Sequence, residues 1–232
     1  MAILAKYYDA LVKDEEASKL WLDFTKKHGT GNNILELAAG TGEITGLLAR
    51  DGYQVHATDI DDDMLEKNRA KNMEFSATFE SLDMRSFSFE KKFDTVVCYC
   101  DSVNYLNDET ELLSLFQSVY HSLICEGVFL FDMHTEGRLE EFREPFIEEG
   151  YIDTSAYQWM IETEGNRLYH HFFFWEGNEE FQEGFFQTVF SLEKVRGFLE
   201  EIGFSVKVYT DFVAEYTDEG ERYCVIARRV KE

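Results

Sequence analysis

Residues 34–46 of this chain, ILELAAGTGEITG, decide its fold. A short apolar run leads into a glycine turn, and Ile44, Leu47 and Leu48 continue after the turn at helical spacing. A strand that feeds a glycine turn and then a helix is typical of the ligand-binding edge of an open α/β sheet. Glycine has no Cβ, so the backbone of Gly40 and Gly42 can approach a ligand closely.

On both sides of this stretch the chain alternates between two patterns. Strand-like runs cover residues 53–58, 75–79, 93–100, 127–133, 204–212 and 222–230. Apolar residues at helical spacing cover residues 14–27, 62–71, 112–123 and 191–203. Strands alternating with helices predict βαβ units and a parallel sheet. The alternation therefore favours an α/β fold.

The alternation stops between residues 135 and 190. Three aromatic-rich runs follow one another there, joined by Gly-Asn turns at residues 165–166 and 177–178. Such short turns between strand-like runs predict a three-stranded antiparallel meander. We expect one domain over residues 1–232, in which residues 135–190 form an inserted antiparallel β lid before the last helix.

The glycine turn also limits the class of ligand. A dinucleotide site requires G-x-G-x-x-G, but Thr45 stands at the third glycine position and Gly46 comes one place late. Glu43, at the start of the helix, would repel a pyrophosphate. A nucleoside without phosphates suits the turn better. Asp59, at the end of the second strand, can accept hydrogen bonds from a ribose diol, although capping the next helix is the simpler role for that residue alone.

Five motifs occur in order along the chain, the first of them containing this turn, and each of them is weak alone. They lie at residues 36–42, 58–65, 81–85, 93–97 and 101–106. Taken together, they resemble the class I S-adenosylmethionine-dependent methyltransferases that act on small molecules. The resemblance extends over about the first 135 residues. It implies a Rossmann-like, seven-stranded, mostly parallel sheet with helices on both faces, and S-adenosyl-L-methionine as the cofactor.

The resemblance also implies which residues bind the cofactor. They are Tyr8, Glu36, Ala38, Gly40, Gly42, Asp59, Ile60, Asp83, Met84, Asp101 and Ser102. In such enzymes Asp59 would hold the ribose, Ile60 would pack on the adenine, and Asp83 with the Met84 amide would bind the adenine edge. The family usually has glycine where this chain has Ala38, and the extra methyl group is the one departure from its pattern.

Methyl transfer from a sulfonium is an in-line displacement by a positioned nucleophile, and it needs a base only where the acceptor arrives protonated. His134 follows the fifth strand and is the first candidate for a catalytic residue, with a structural role as the alternative. Tyr105 is the second candidate. His170 and His171 fall in the meander on opposite faces, so one of them is available to line the site.

Two rival functions stay open at this point. The first is a non-catalytic module that binds S-adenosylmethionine or S-adenosylhomocysteine, because no base is unambiguous. The second is an NAD-type oxidoreductase, which Glu43 and the late Gly46 disfavour. The favoured function is transfer of a methyl group to nitrogen or oxygen of a small-molecule acceptor.

The amino-acid composition limits the classes of molecule that the chain can bind. The chain has 46 acidic and 22 basic residues and a formal charge of −24, which argues against nucleic acid and against a polybasic membrane contact. No run is long and apolar enough to span a membrane. The four cysteines form no C-x-x-C pair, so we expect reduced, buried thiols, no metal and a cytoplasmic protein. A monomer or a homodimer is expected.

Overall fold

The helices and strands of the computed structural model follow the chain in the order expected for βαβ units. The structure describes residues 6–7, 10–11, 15–217 and 219–230. The first half contains α1 (Glu15–His28), β1 (Asn33–Glu36), α2 (Glu43–Arg50), β2 (Gln54–Asp59), α3 (Asp62–Asn72), β3 (Ala77–Ser81), β4 (Phe93–Cys98), a 3₁₀ turn (Ser102–Tyr105) and α4 (Glu109–Ser122).

The second half begins with a long strand and carries the inserted sheet. Its elements are β5 (Leu123–His134), α5 (Gly137–Glu141), β6 (Phe146–Ile152), β7 (Ser155–Glu164), β8 (Arg167–Glu176), β9 (Glu179–Thr188), α6 (Leu192–Ile202), β10 (Phe204–Thr210), β11 (Ala214–Glu215) and β12 (Arg222–Arg229). Gly203 ends α6 in the left-handed conformation, as its position in the sequence predicts.

The larger sheet has the strand order β11-β10-β12-β5-β4-β1-β2-β3. Strands β1 to β5 run parallel, and β12 and β10 are antiparallel to them. The two-residue β11 extends this edge of the sheet. The predicted Rossmann-like sheet of seven strands, mostly parallel, is therefore confirmed, with one very short strand added.

Strands β6 to β9 form a separate antiparallel sheet. The prediction of three strands was wrong, because Phe146–Ile152 pairs with Ser155–Glu164 as a fourth, edge strand. This edge strand is partly exposed to solvent along its length, and it contains Glu148, Glu149 and Gly150. Because these three residues interrupt the apolar pattern, a search for apolar runs does not detect the strand.

Apolar side chains cover both faces of the larger sheet. Leu35 and Phe131 pack on the side of α4 and α6, and Ile34 and Leu130 pack on the side of α1 and α2. All four side chains are fully buried. This core holds the ends of the parallel strands, and therefore the glycine turn, in a fixed arrangement.

The expectation of buried thiols is wrong for half of the cysteines. All four are unpaired, but only Cys98 and Cys224 are buried, while Cys100 and Cys125 are exposed. β4 ends at Cys98, and Cys100 lies in a turn with φ +57°, so the two residues do not share a strand face. Among the described residues, every helix is too short or too polar to cross a bilayer.

Candidate functional site

The glycine turn after β1 uses a left-handed backbone at three positions. Ala38, Gly40 and Gly42 have φ values of +51°, +54° and +86°. A Cβ added at Gly42 would lie 2.1 Å from Oδ1 of Asn68, whereas one added at Gly40 would meet nothing within 4 Å. The packing of Asn68 against the turn therefore requires glycine at position 42, whereas Gly40 borders open space.

Two buried asparagines of α3 hold the turn from below. Nδ2 of Asn72 donates to the Gly42 carbonyl at 2.8 Å, and Nδ2 of Asn68 donates to Oγ1 of Thr45 at 2.9 Å. A Cβ at Gly46 would lie 2.5 Å from Oδ1 of Asn72. Gly46 is thus a packing glycine beside Asn72, and not a displaced part of a dinucleotide motif.

Glu36 ends β1 with its carboxyl group buried beside the turn. Its Oε2 accepts a hydrogen bond from Oγ1 of Thr45 at 2.6 Å. The pKa of Glu36 is raised to about 8, mainly by burial and to a smaller extent by the nearby Asp59, while the hydrogen bond from the Thr45 hydroxyl opposes the rise. A pKa near 8 favours the protonated carboxyl group at neutral pH, and a nearby cation would favour the carboxylate.

Asp59 connects the end of β2 to the glycine turn. Its Oδ2 accepts from the Gly40 N–H at 2.7 Å, and its Oδ1 accepts from the Asp61 N–H at 2.9 Å. Burial raises the pKa of Asp59. The helix cap is Asp61, whose side chain accepts from the N–H groups of Asp63 and Met64. The alternative role for Asp59, as the cap of α3, is therefore taken by Asp61.

The residues predicted at the adenine end lie outside the cavity described below. Ile60 is 63% exposed at the end of β2. Asp83 forms an ion pair with Arg85, with 2.6 Å between Oδ2 and Nη2, and this partner lowers the pKa of Asp83. Met84 packs against the core beneath β4. Tyr8 lies outside the described residues. Its neighbour Tyr7 is buried against Phe174 with 4.9 Å between the ring centroids.

One cavity of about 410 Å³ joins the glycine turn to the antiparallel sheet. Its lining near the glycine turn includes Glu36, Ala38, Gly40, Gly42, Asp101 and Ser102. Its other wall includes Tyr105, His134, Arg138, Trp159, Ile161, His170, Phe172, Phe185 and Gln187. The structure thus brings eight of the predicted site residues to one space, and this space excludes Asp59, Ile60, Asp83 and Met84.

Asp101 enters the cavity from a left-handed turn after β4. Its φ is +50°, and its N–H donates to Oδ2 of the fully buried Asp132 at 2.9 Å. Nη1 of Arg222 also donates to Oδ2 of Asp132, at 3.3 Å. Burial raises the pKa of Asp132, and the positive charge of Arg222 opposes the rise. The buried carboxylate of Asp132 therefore supports, at Asp101, a backbone conformation that a non-glycine residue adopts at a cost.

A side-chain network joins Asp101 to the antiparallel sheet. Nε2 of Gln187 donates to Oδ2 of Asp101. Oε1 of Gln187 contacts Nε2 of His134 at 2.9 Å and Nε2 of His170 at 3.1 Å. The indole N–H of Trp159 donates to Nδ1 of His170 at 3.2 Å. The network connects the turn after β4 with β5, β7, β8 and β9 across the cavity.

The two neighbouring histidines of β8 have different surroundings. His170 is buried and faces the cavity, and burial lowers its pKa to about 4. His171 pairs with Glu162 at 3.1 Å on the opposite face. Tyr105 is 42% exposed at the cavity, and its ring lies 5.1 Å from that of Phe185. No group of three or more His, Cys, Asp or Glu residues in the described part of the chain is arranged to hold a metal.

Comparison with known proteins decides the family. Residues 34–127 match a family model described as a methyltransferase domain. The putative methyltransferase YqeM of Bacillus subtilis (strain 168) is 33% identical over 211 residues, which cover 85% of this chain and 84% of that protein. The chain belongs to the class I S-adenosylmethionine-dependent methyltransferases. An NAD-type oxidoreductase and a non-catalytic module are both set aside.

Solved structures share the fold of this methyltransferase. An S-adenosylmethionine-dependent methyltransferase from Clostridium acetobutylicum ATCC 824 has a TM-score of 0.83 at 21% identity and covers 99% of this chain and 97% of its own. The sugar N-methyltransferase KedS8 from Streptoalloteichus sp ATCC 53650 has a TM-score of 0.78 at 18% identity, with 99% and 93% covered. The cofactor of the methyltransferase is S-adenosyl-L-methionine.

The methyltransferase contains site residues that sequence reasoning missed. Asn68 and Asn72 lie four residues apart, so they share one face of α3, and this spacing was a usable signal. Gln187, Arg138 and Arg222 gave no such signal, because they reach the cavity from segments that meet only in the folded chain.

Proposed function

We propose that this methyltransferase methylates nitrogen or oxygen of a small molecule held between the parallel strand ends and the antiparallel sheet. The observation that carries the proposal is a cavity lined by residues at the ends of the parallel strands and by residues of the antiparallel sheet. Its size suits small-molecule binding, because ligand pockets commonly measure about 300–1,000 Å³. The net charge agrees with a small-molecule acceptor, because a chain with a formal charge of −24 does not attract the phosphates of polynucleotides.

The residues of the glycine turn fit the cofactor. Gly40 leaves space that a Cβ would occupy, so the backbone can contact the methionine portion. Glu36 offers a carboxyl group that ionises beside a cation. Asp59 would bind the ribose, Ile60 exposes an apolar face for the adenine, and Asp83 and the Met84 amide would contact the adenine edge. Asp101 and Ser102 would border the methionine and the acceptor.

S-adenosylmethionine, when bound, supplies a methyl group on a sulfonium for direct in-line displacement by the acceptor. The protein positions the acceptor and excludes water from it. Trp159, Phe172 and Phe185 provide an aromatic wall for these tasks, since their side chains line the cavity at the antiparallel sheet. Residues 135–190 therefore act as a lid within a single domain.

His134 is the proposed catalytic base. It lines the cavity, and its Nε2 lies 3.7 Å from Oδ2 of Asp101, which stabilises the imidazolium that forms when a ring nitrogen takes the acceptor proton. Tyr105 is the second proposed substrate-side residue. Its place in the same lining, beside Phe185, supports that role.

A methyl-transfer assay with two acceptor panels, small amines and small hydroxy compounds, tests the proposal. S-adenosylhomocysteine should form with members of at least one panel, and His134→Gln should lower kcat by about 10²–10⁴. His171→Gln is the matched control, because His171 faces away from the cavity, and it should leave kcat unchanged. A protein that binds S-adenosylmethionine and turns over neither panel would overturn the proposal.

We propose that amines are the preferred acceptors. Asp101 is a carboxylate at the cavity, and the aromatic wall attracts cations. The name of KedS8, a sugar N-methyltransferase, agrees with this preference. We further propose a monomer or homodimer in the cytoplasm, where the four unpaired cysteines stay reduced.

A further inference from the structure

Gln187 occupies the centre of the network between the two sheets, and its two amide atoms face different partners. A carboxylate only accepts hydrogen bonds, so the NH₂ group of Gln187 must face Asp101. The amide is thereby oriented, and its carbonyl oxygen must face His134 and His170. Gln187 is 2% exposed, so water does not compete for these positions.

The carbonyl oxygen of Gln187 sets the protonation of both histidines. A carbonyl only accepts, and its two lone pairs are both used by the two Nε2 atoms. Nε2 of His134 and Nε2 of His170 must therefore each carry a hydrogen. The ring nitrogen left for proton exchange is Nδ1 in both residues.

His170 cannot use its Nδ1, because the indole N–H of Trp159 already donates to it at 3.2 Å. A hydrogen on Nδ1 of His170 would face the indole N–H of Trp159, and two donors cannot form a hydrogen bond with each other. His170 is thus a neutral Nε2–H tautomer, in agreement with the burial that lowers its pKa. The titratable and charged groups that face it are Asp101, His134 and Arg138.

We infer that Gln187 is a positioning residue that holds His134 as the Nε2–H tautomer, so that the acceptor proton is taken at Nδ1 of His134. This inference rests on the proposed role of His134 as the base. As the acceptor forms its bond to the methyl carbon, the bond between that carbon and the sulfonium sulfur breaks and S-adenosylhomocysteine is released as a neutral thioether. The N–H or O–H bond of the acceptor breaks, and its proton moves to Nδ1 of His134. The positive charge lost from the sulfonium is regained on the imidazole ring.

The surroundings of His134 support this direction of proton transfer. Its backbone N–H donates to Oδ1 of Asn104 at 3.0 Å, which fixes the end of β5. Asp101 faces the ring from the turn after β4, His170 faces it from β8, and Arg222 lies opposite His134 on β12. Asp101 lies on the Nε2 side, where it stabilises the imidazolium without taking the proton.

The direct test is nitrogen NMR of the histidine side chains in the wild-type protein and in Gln187→Met. Methionine matches glutamine in length but neither donates nor accepts comparably. In the wild type both His134 and His170 should carry hydrogen on Nε2 alone. In Gln187→Met the Nδ1–H tautomer of His134 should appear beside the Nε2–H form, which the carboxylate of Asp101 still favours. Gln182→Met, at an exposed position of the same strand, is the control and should leave both tautomers unchanged.

Kinetics provide the second readout. Gln187→Met should lower kcat by about 10- to 100-fold, the scale on which loss of a hydrogen-bond partner that orients a histidine affects activity, with KM changed less than about threefold. Wild-type His134 found as the Nδ1–H tautomer would overturn the inference, as would a Gln187→Met protein with normal tautomers and normal kcat. The NMR result does not require turnover, so a protein that methylates no acceptor defeats the proposed function and leaves this test intact.

Discussion

The Asp59 carboxylate accepts a hydrogen bond from the backbone N–H of Gly40 at 2.7 Å. This bond joins the end of β2 to the glycine turn after β1, two segments that are 19 residues apart in the chain. The acid proposed to bind the ribose therefore also shapes the turn proposed to contact the methionine portion.

Asp59→Ala should weaken binding of S-adenosylmethionine by about 1.5–3 kcal/mol, the scale of a hydrogen bond to a charged group. Both the ribose contact and the support of the Gly40 N–H are lost. Isothermal titration calorimetry measures the change directly.

Asp61→Ala is the matched control for that experiment. Asp61 caps α3 through the N–H groups of Asp63 and Met64, so its loss should lower the free energy of unfolding by about 0.5–2 kcal/mol. Cofactor affinity should change far less than in Asp59→Ala. Equal affinity in Asp59→Ala and the wild type would show that the ribose assignment is wrong.

Gly46→Ala should destabilise the protein by about 1–3 kcal/mol, because the new Cβ lies 2.5 Å from Oδ1 of Asn72 and displaces the side chain that supports the Gly42 carbonyl. Gly197→Ala is the control in another helix. Its Cβ meets nothing within 4 Å, so helix propensity should raise stability by about 0.5–1 kcal/mol. Urea denaturation measures both, and losses of the same size would contradict the packing argument.

Ala38→Gly should stabilise the protein by about 1 kcal/mol. Ala38 has φ +51°, a left-handed conformation that costs a residue with a Cβ about 1–2 kcal/mol. Ala39 has no such strain, and Ala39→Gly should instead destabilise the fold by about 0.5–1 kcal/mol through backbone entropy. Thermal unfolding of the two variants gives the comparison, and a destabilised Ala38→Gly protein would refute the strain at this position.

Cofactor affinity should rise as the pH increases from about 6 to 8. The pKa of Glu36 is raised to about 8 in the free protein. The protonated carboxyl group is therefore favoured in the folded state, and its contribution to the free energy of unfolding is lost as the pH rises through about 8. A bound cation favours the carboxylate and releases the proton.

Calorimetry in two buffers of different ionisation enthalpy counts the protons released on binding. Glu36→Gln keeps an acceptor for the Thr45 hydroxyl and removes the titrating group, so it should abolish the release. Proton release that persists in Glu36→Gln would assign it to another residue.

The sequence predicted the parts of the fold that local patterns determine. The run into Gly40, the helix that begins at Glu43 and the strand that ends at Asp59 all lie where periodicity placed them. Gly46 shows the limit of such reasoning. Its late position was interpreted against a dinucleotide motif, whereas its physical cause is the close approach of Asn72 from α3.

The acceptor side of the site was less predictable for a physical reason. Gln187 and Asp101 are 86 residues apart and meet only because the antiparallel sheet folds over the parallel one. The same holds for Asp132 and Arg222, which come together across the β5–β12 pair. Polar residues on strands carry no signal of their partner until the register of the sheet is known.

A crystal structure of the protein with S-adenosylhomocysteine tests the central claim most directly. We predict the ribose hydroxyl groups within hydrogen-bonding distance of Asp59, the homocysteine portion along Gly40–Gly42, and the sulfur facing Asp101 and His134. A ligand bound elsewhere, or an empty glycine turn at a saturating concentration of ligand, would contradict the account.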